Sequence, residues 1–224
     1  MDFPRKLTPE ILDALDQDDP KAIRSRRDLR IINTVLGGTR WILRNVDDLL
    51  SKDQTITKIV ECGAGDGTMT LELASLLAEK HPKVSLTAVD LQPAPRNWQA
   101  HDKVTWHRGD LLKSPELFDE HTLVVANLML HHFTAEQLGT LGKEFTTAKA
   151  AVLSEPHRWR KWMRFALYPL GLNSVTRHDM RISIESGFTD TELVDFLGFD
   201  SSQWDVISGS TFRGLHQVIA RRKE

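Results

Sequence analysis

The chain has 224 residues, enough for one α/β domain with additions and short for two. Hydrophobic residues make up 40% and charged residues 27%, a globular composition, and a formal net charge of -2 argues against a general nucleic-acid binder. A single cysteine, Cys62, excludes an internal disulfide and a cysteine-rich metal site, and no apolar run reaches membrane-spanning length. The first residues, Met1 to Lys6, lack a signal-peptide core, so a cytoplasmic setting is expected.

Thr8-Pro9-Glu10 predicts a helix N-cap with proline in the first turn, then a short helix from Ile11 to Leu15 that stops at Asp18-Asp19-Pro20. A longer helical pattern runs from Lys21 to Leu50. Ile23, Leu29, Ile32, Val35 and Leu36 form one stripe, which resumes at Trp41, Ile42, Val46 and Leu49 after an interruption at Gly37-Gly38. Beyond Ser51 the pattern alternates. Strands are predicted over 56–62, 84–89, 104–107, 122–127 and 150–154, with helices over 68–79, near 95–99 and over 134–147, the last opened by the capping box Thr134-Ala135-Glu136-Gln137. This alternation implies βαβ units and a parallel sheet whose ligands bind beyond the carboxyl ends of the strands. The stretch 158–187 carries aromatic, basic and Pro/Gly residues without a strand signal and is a candidate lid. Thr189-Asp190-Thr191-Glu192 opens a helix through Leu197, and strands over 204–208 and 215–220 suggest a terminal antiparallel pair.

The most informative segment is Glu61-Cys62-Gly63-Ala64-Gly65-Asp66-Gly67-Thr68, an acidic strand end followed by glycines at alternate positions and a helix start. Glycine permits close backbone approach to a ligand and a sharp turn into a helix N-terminus. A dinucleotide fingerprint would place its third glycine where Thr68 stands, so the spacing favours S-adenosylmethionine (SAM) over NAD. Three further features end successive strands. Asp90-Leu91 offers a carboxylate to ribose hydroxyls, Asp110-Leu111 offers an acid and an apolar side chain to adenine, and Asn127-Leu128 closes the fourth strand. A carboxylate buried beside a glycine loop, as Glu61 would be, needs backbone amides or a cationic ligand to satisfy it.

Over roughly 56–155 these residues resemble the class I SAM-dependent methyltransferases. Glu61 to Gly67, with Gly63, Ala64 and Gly65 at its centre, resembles their first motif. Asp90 matches their ribose-binding acid, Asp110 their adenine-contacting acid, and Asn127 their fourth motif. The resemblance implies a Rossmann-like α/β fold with a seven-stranded, mostly parallel sheet whose final strand is antiparallel. Residues 1–52 would be an N-terminal helical cap, and 53–224 the methyltransferase domain with its lid near 158–187. The segment Asn127-Leu128-Met129-Leu130-His131-His132 narrows the resemblance to small-molecule methyltransferases similar to those of ubiquinone and menaquinone biosynthesis. Arg27 to Gly38 is similar to the entry helices of such enzymes, some resembling those found with type III polyketide synthases, and there Asn33 or Arg40 would touch ligand.

Methyl transfer from a sulfonium requires alignment and exclusion of water, and a phenol with a pKa of about 10 gains from a base near neutrality. His131, His132, His157 and His178 are the candidate catalytic bases, the last beside Asp179, and Arg158, Trp159 and Arg177 are candidate acceptor contacts. No cysteine–histidine cluster or carboxylate group has ligand spacing, so no metal is expected. The expected activity is O-methylation of a phenolic or enolic small molecule. Methylation of a ring carbon, of a nucleic acid through the basic, Trp-bearing stretch 158–165, or SAM binding without catalysis are the alternatives. That stretch would equally suit peripheral contact with a membrane surface.

Overall fold

The computed structural model describes residues 4–16, 18–95, 98, 104–158 and 171–223. Its centre is a seven-stranded sheet in the order β3-β2-β1-β4-β5-β7-β6, built from β1 (Lys58–Cys62), β2 (Ser85–Asp90), β3 (Val104–Arg108), β4 (Thr122–Asn127), β5 (Ala150–Pro156), β6 (Trp204–Ser210) and β7 (Leu215–Arg222). The first five strands are parallel, and β7 lies antiparallel between β5 and β6. Each predicted strand is present.

The register brings the functional strand ends to one rim. Cys62 pairs with Val89 and Ala126, Asp90 with Arg108, and Asn127 with Ser154. Strand order reverses between β1 and β4, so a crevice opens there beyond the strand ends.

The central strands are buried on both faces, which is why they read as continuous apolar runs. On one face α2 (Gly38–Lys52) and α3 (Thr68–Lys80) place Ile42, Val46, Leu49, Leu73 and Leu77 against Ile59, Leu86, Leu123 and Val152. On the other, α4 (Ala135–Phe145) and α6 (Glu192–Leu197), the latter following α5 (Ser174–Ser186), pack Leu138, Leu141, Phe145 and Leu197 against Val60, Val124, Ala151 and Trp204. The Thr134–Gln137 capping box forms as the sequence predicts. The fully buried Cys62 is a packing residue, its thiol pushed upward by burial and by neighbouring Glu61.

Two local expectations are corrected. Asp18-Asp19-Pro20 starts a helix rather than stopping one: the Asp19 carboxylate accepts from Lys21 N at 2.7 Å and Pro20 is the first residue of α1 (Pro20–Leu36), as suits a residue without an N–H. Gly37, at φ 77°, ends α1 and begins α2. The predicted helix at 11–15 is reduced to a 3-10 turn, Leu12–Ala14, because the amides of Ile11 and Leu12 donate to the Asp179 carboxylate of α5, both at 2.9 Å. Residues 4–16 form a strap. Lys6 N donates to Glu185 O, and the Arg5 guanidinium donates to Ser186 O, Phe133 O and His131 O.

The candidate lid contributes α5, capped by Asn173 and tied to α1 through Asp28–Thr176 and Ser25–Thr176 hydrogen bonds. Trp159, the basic aromatic stretch after Arg158, and most of the short helix expected near 95–99 lie outside the described residues. Among the described residues no helix is long and apolar enough to cross a membrane.

Candidate active site

A cavity of about 1360 Å³ opens at the carboxyl rim of the sheet, roofed by α1, α2, α5 and the strap. Single-ligand pockets commonly run to roughly 1,000 Å³, so this space suits two ligands side by side.

One half is made by strand ends. Gly63, Gly65 and Gly67 have φ of 76°, 57° and 74°. A Cβ on Gly63 would lie 2.3 Å from Met129 Cγ, whereas one on Gly65 would meet nothing within 4 Å, leaving backbone open to the cavity. Asp90 binds the loop itself, accepting from Gly65 N and Gln92 N, both at 2.8 Å. Each of its oxygens keeps a second lone pair for a hydroxyl. Asp110 caps the following turn through Leu112 N at 3.0 Å, with buried Leu111 beside it. Asn127 Oδ1 is buried without a partner, and Leu128 is held at φ 54°, an uncommon conformation for leucine that marks functional or strained sites. Glu61 lines the same space at 1% exposure, and neither carboxylate oxygen has a hydrogen-bond partner within the protein. Burial pushes Glu61 up to about 8; the nearby Thr70 hydroxyl opposes the rise, and Asp90 and Asp66 add to it. Every residue on this side that the sequence singles out (Glu61, Gly63, Ala64, Gly65, Asp90, Leu91, Asp110, Leu111, Asn127 and Leu128) lines the cavity.

The other half joins segments distant in sequence. Glu155, ending the buried strand β5, accepts from the amides of Met129, Leu130 and His131 and from His131 Nδ1 at 2.8 Å. These contacts fix the carboxylate in place, and the His131 ring with it. His131 Nε2 faces Glu10 Oε1 of the strap at 3.6 Å, and the His132 ring lies 4.2 Å from that of His131. Burial opposes charge on His131, but Glu10 and Glu155 override it and raise it to about 9. His131 and His132 both line the cavity.

The remaining predicted acceptor-side residues are placed elsewhere. Buried Arg158 donates to Gly187 O, Thr189 Oγ1 and Glu192 Oε1, so its charge holds α6 to the end of β5. His157 is buried with its ring 6.3 Å from that of His216. His178 is half-exposed on α5 with Nδ1 3.1 Å from Asp179 Oδ1, but Asp179 turns its carboxylate to the strap amides. Neither His157, Arg158, Arg177 nor His178 is among the residues lining the cavity. The sequence places Glu155-Pro156-His157-Arg158 after the fifth strand at the catalytic edge but gives Glu155 no role, and it does not single out Glu10. A charged residue inside a fully buried strand, as at Glu155, is the signal that would have given the first its role, and nothing local marks the second.

Comparison with solved structures agrees with this architecture. The plantazolicin methyltransferase BpumL, solved with SAH, superposes with a TM-score of 0.65 at 12% identity over 92% of each chain. The fold is that of the class I methyltransferases. Human N-acetylserotonin methyltransferase, solved with SAM, gives a TM-score of 0.58 at 16% identity, matching 95% of this chain and 61% of that one. The methyltransferase domain of bacterial CtHen1 gives 0.56 at 12% identity over 83% and 99% of the two chains. No protein-family model and no curated protein matches the sequence.

Proposed function

We propose that the protein is a SAM-dependent methyltransferase acting on a small molecule with an acidic hydroxyl, phenolic or enolic. One observation carries this reading: Glu61, fully buried at the foot of the glycine loop, lines the cavity with neither carboxylate oxygen in a well-formed hydrogen bond. A buried carboxylate without partners is costly, and a cationic ligand removes that cost. The methionyl ammonium of SAM is such a group. The neighbours solved with SAM or SAH support the same choice.

The chain's residues fit this ligand along its length. Glu61 and the amides at Gly63 to Gly65 receive the methionyl end, Asp90 the ribose hydroxyls, and Asp110 with Leu111 the adenine. Asn127, with an unpartnered Oδ1, and strained Leu128 sit between this half and the histidines. SAM supplies an electrophilic methyl group, transferred as the acceptor oxygen forms the new bond and the sulfur takes back its electron pair. The protein's part is to align the acceptor, exclude water with the strap and α5, and receive the acceptor's proton at His132, which burial and the neighbouring His131 charge keep neutral. Phe133, Met180 and Ile184 give that end apolar walls suited to a ring.

The test is methyl transfer from radiolabelled SAM to a panel of phenols, enols and their O-blocked analogues. Labelled product from free hydroxyls alone supports the reading; labelled product from blocked analogues, or no SAM binding, overturns it.

A further inference from the structure

The sequence predicts no metal, but the fold assembles a ligand set that spacing could not reveal. Glu10, His131 and His132 each direct one ligand atom into a common space, all within 4.8 Å of one another. Two imidazoles and one carboxylate with open positions form a recurrent arrangement for borderline divalent transition metals. We infer that this cluster binds one such cation, of the zinc class, at the acceptor end of the cavity, where its open positions would receive an acceptor oxygen. The inference rests on the proposed function for its purpose but not for its existence.

Three observations carry it. First, His131 Nε2 is buried, 3% of the side chain being exposed, and has no hydrogen-bond partner. It is aimed at Glu10 Oε1, 3.6 Å away. Two ligands of a tetrahedral ion with bonds of about 2.0–2.1 Å sit about 3.3–3.5 Å apart, so this gap is too long for a hydrogen bond and close to a shared ion's edge. Second, the other ring nitrogen is held as in metal-bound histidines. Nδ1 lies 2.8 Å from Glu155 Oε2, which orients the ring so that a cation entering the site displaces the Nε2 proton and takes its lone pair. Glu155 is itself fixed by three backbone amides, so this support is rigid. Third, Glu10 is held in place by the Ser183 hydroxyl of α5. The strap carrying it is pinned by Arg5 and by Asp179, so the carboxylate arrives by construction rather than as a loose surface group.

A proton shared between His131 and Glu10 is the competing occupant. Tag-free protein, stripped with chelator, is titrated with Co²⁺ and followed by visible ligand-field absorption, then back-titrated with Zn²⁺. The inference expects one Co²⁺ per chain with nitrogen-ligand bands, displacement by Zn²⁺, and at least tenfold weaker binding in Glu10→Gln and in His132→Asn. His121→Asn and His178→Asn, outside the cluster, are expected to bind as the parent does. An unchanged spectrum, or equal binding by parent and Glu10→Gln, overturns it and leaves an ion pair only. SAM titration of the same samples separates the two proposals: retained SAM binding without Co²⁺ bands overturns the metal site alone, whereas Co²⁺ bands without SAM binding overturn the proposed function alone.

Discussion

The two halves of the cavity are built on different principles. The half we propose for SAM is local: β1 with its glycine loop, then the ends of β2 and β4 and the turn after β3, each contribute a short peptide placed at a strand end. The acceptor-facing half is non-local, joining the strap at Arg5 and Glu10, the turn at His131–His132, β5 at Glu155 and α5 at Asp179 and Ser183. A parallel sheet places strand ends by register alone, whereas the second half depends on a terminal segment held by charged side chains. The comparison teaches that the first half follows from the sheet's register, whereas the second is assembled by side chains that meet from four distant segments.

The largest expected effect breaks the first half alone. Asp90→Ala removes the acceptor for two ribose hydroxyls and frees the Gly65 amide, and hydrogen bonds to charged groups are worth about 1.5–3 kcal/mol each. SAM affinity should fall by about a hundredfold or more in calorimetry, while Co²⁺ binding at the other half is unchanged.

Acidity sharpens the same side. Glu61 titrates near 8 without ligand, so it is neutral at lower pH, whereas a bound ammonium favours its ionised form. Binding therefore releases a proton, and SAM affinity should rise with pH by up to about tenfold per unit until about pH 8, then level off. Stability has the opposite sign: the advantage of a neutral buried Glu61 is present below the ordinary carboxylate range and is lost as pH rises through 8. Glu61→Gln should flatten both profiles.

The second half is broken from the strap. Arg5→Ala removes three bonds to the carbonyls of His131, Phe133 and Ser186. It should lower kcat/KM for the acceptor by about tenfold with SAM affinity unchanged, the equivalent of about 1.4 kcal/mol of lost transition-state stabilisation. The smallest effect belongs to His178→Asn. Because His178 stands outside the cavity lining, turnover should change by less than about twofold, against the sequence expectation that it acts as base.

This division also explains what was legible in the sequence. The sheet, the capping box at Thr134 and the whole row from Glu61 to Leu128 follow from apolar runs ending in acidic or amide residues. Arg158, His157 and His178 misled because proximity to the end of β5 does not say which way a side chain turns: Arg158 turns to Glu192, and Asp179 turns to the strap. Glu10 was illegible because its partner is His131, more than a hundred residues away, and the local pattern Thr8-Pro9-Glu10 reads as a helix start. Asp18-Asp19-Pro20 misled in part: it reads as a stop with a helix from Lys21, whereas Asp19 caps α1 and Pro20 is its first residue.

The most direct measurement is a crystal structure of the protein with SAH. The account predicts its ribose hydroxyls on the Asp90 carboxylate, its amino group beside Glu61 and its sulfur directed toward Asn127 and the paired histidines. A ribose far from Asp90, or a ligand bound outside this cavity, would contradict it.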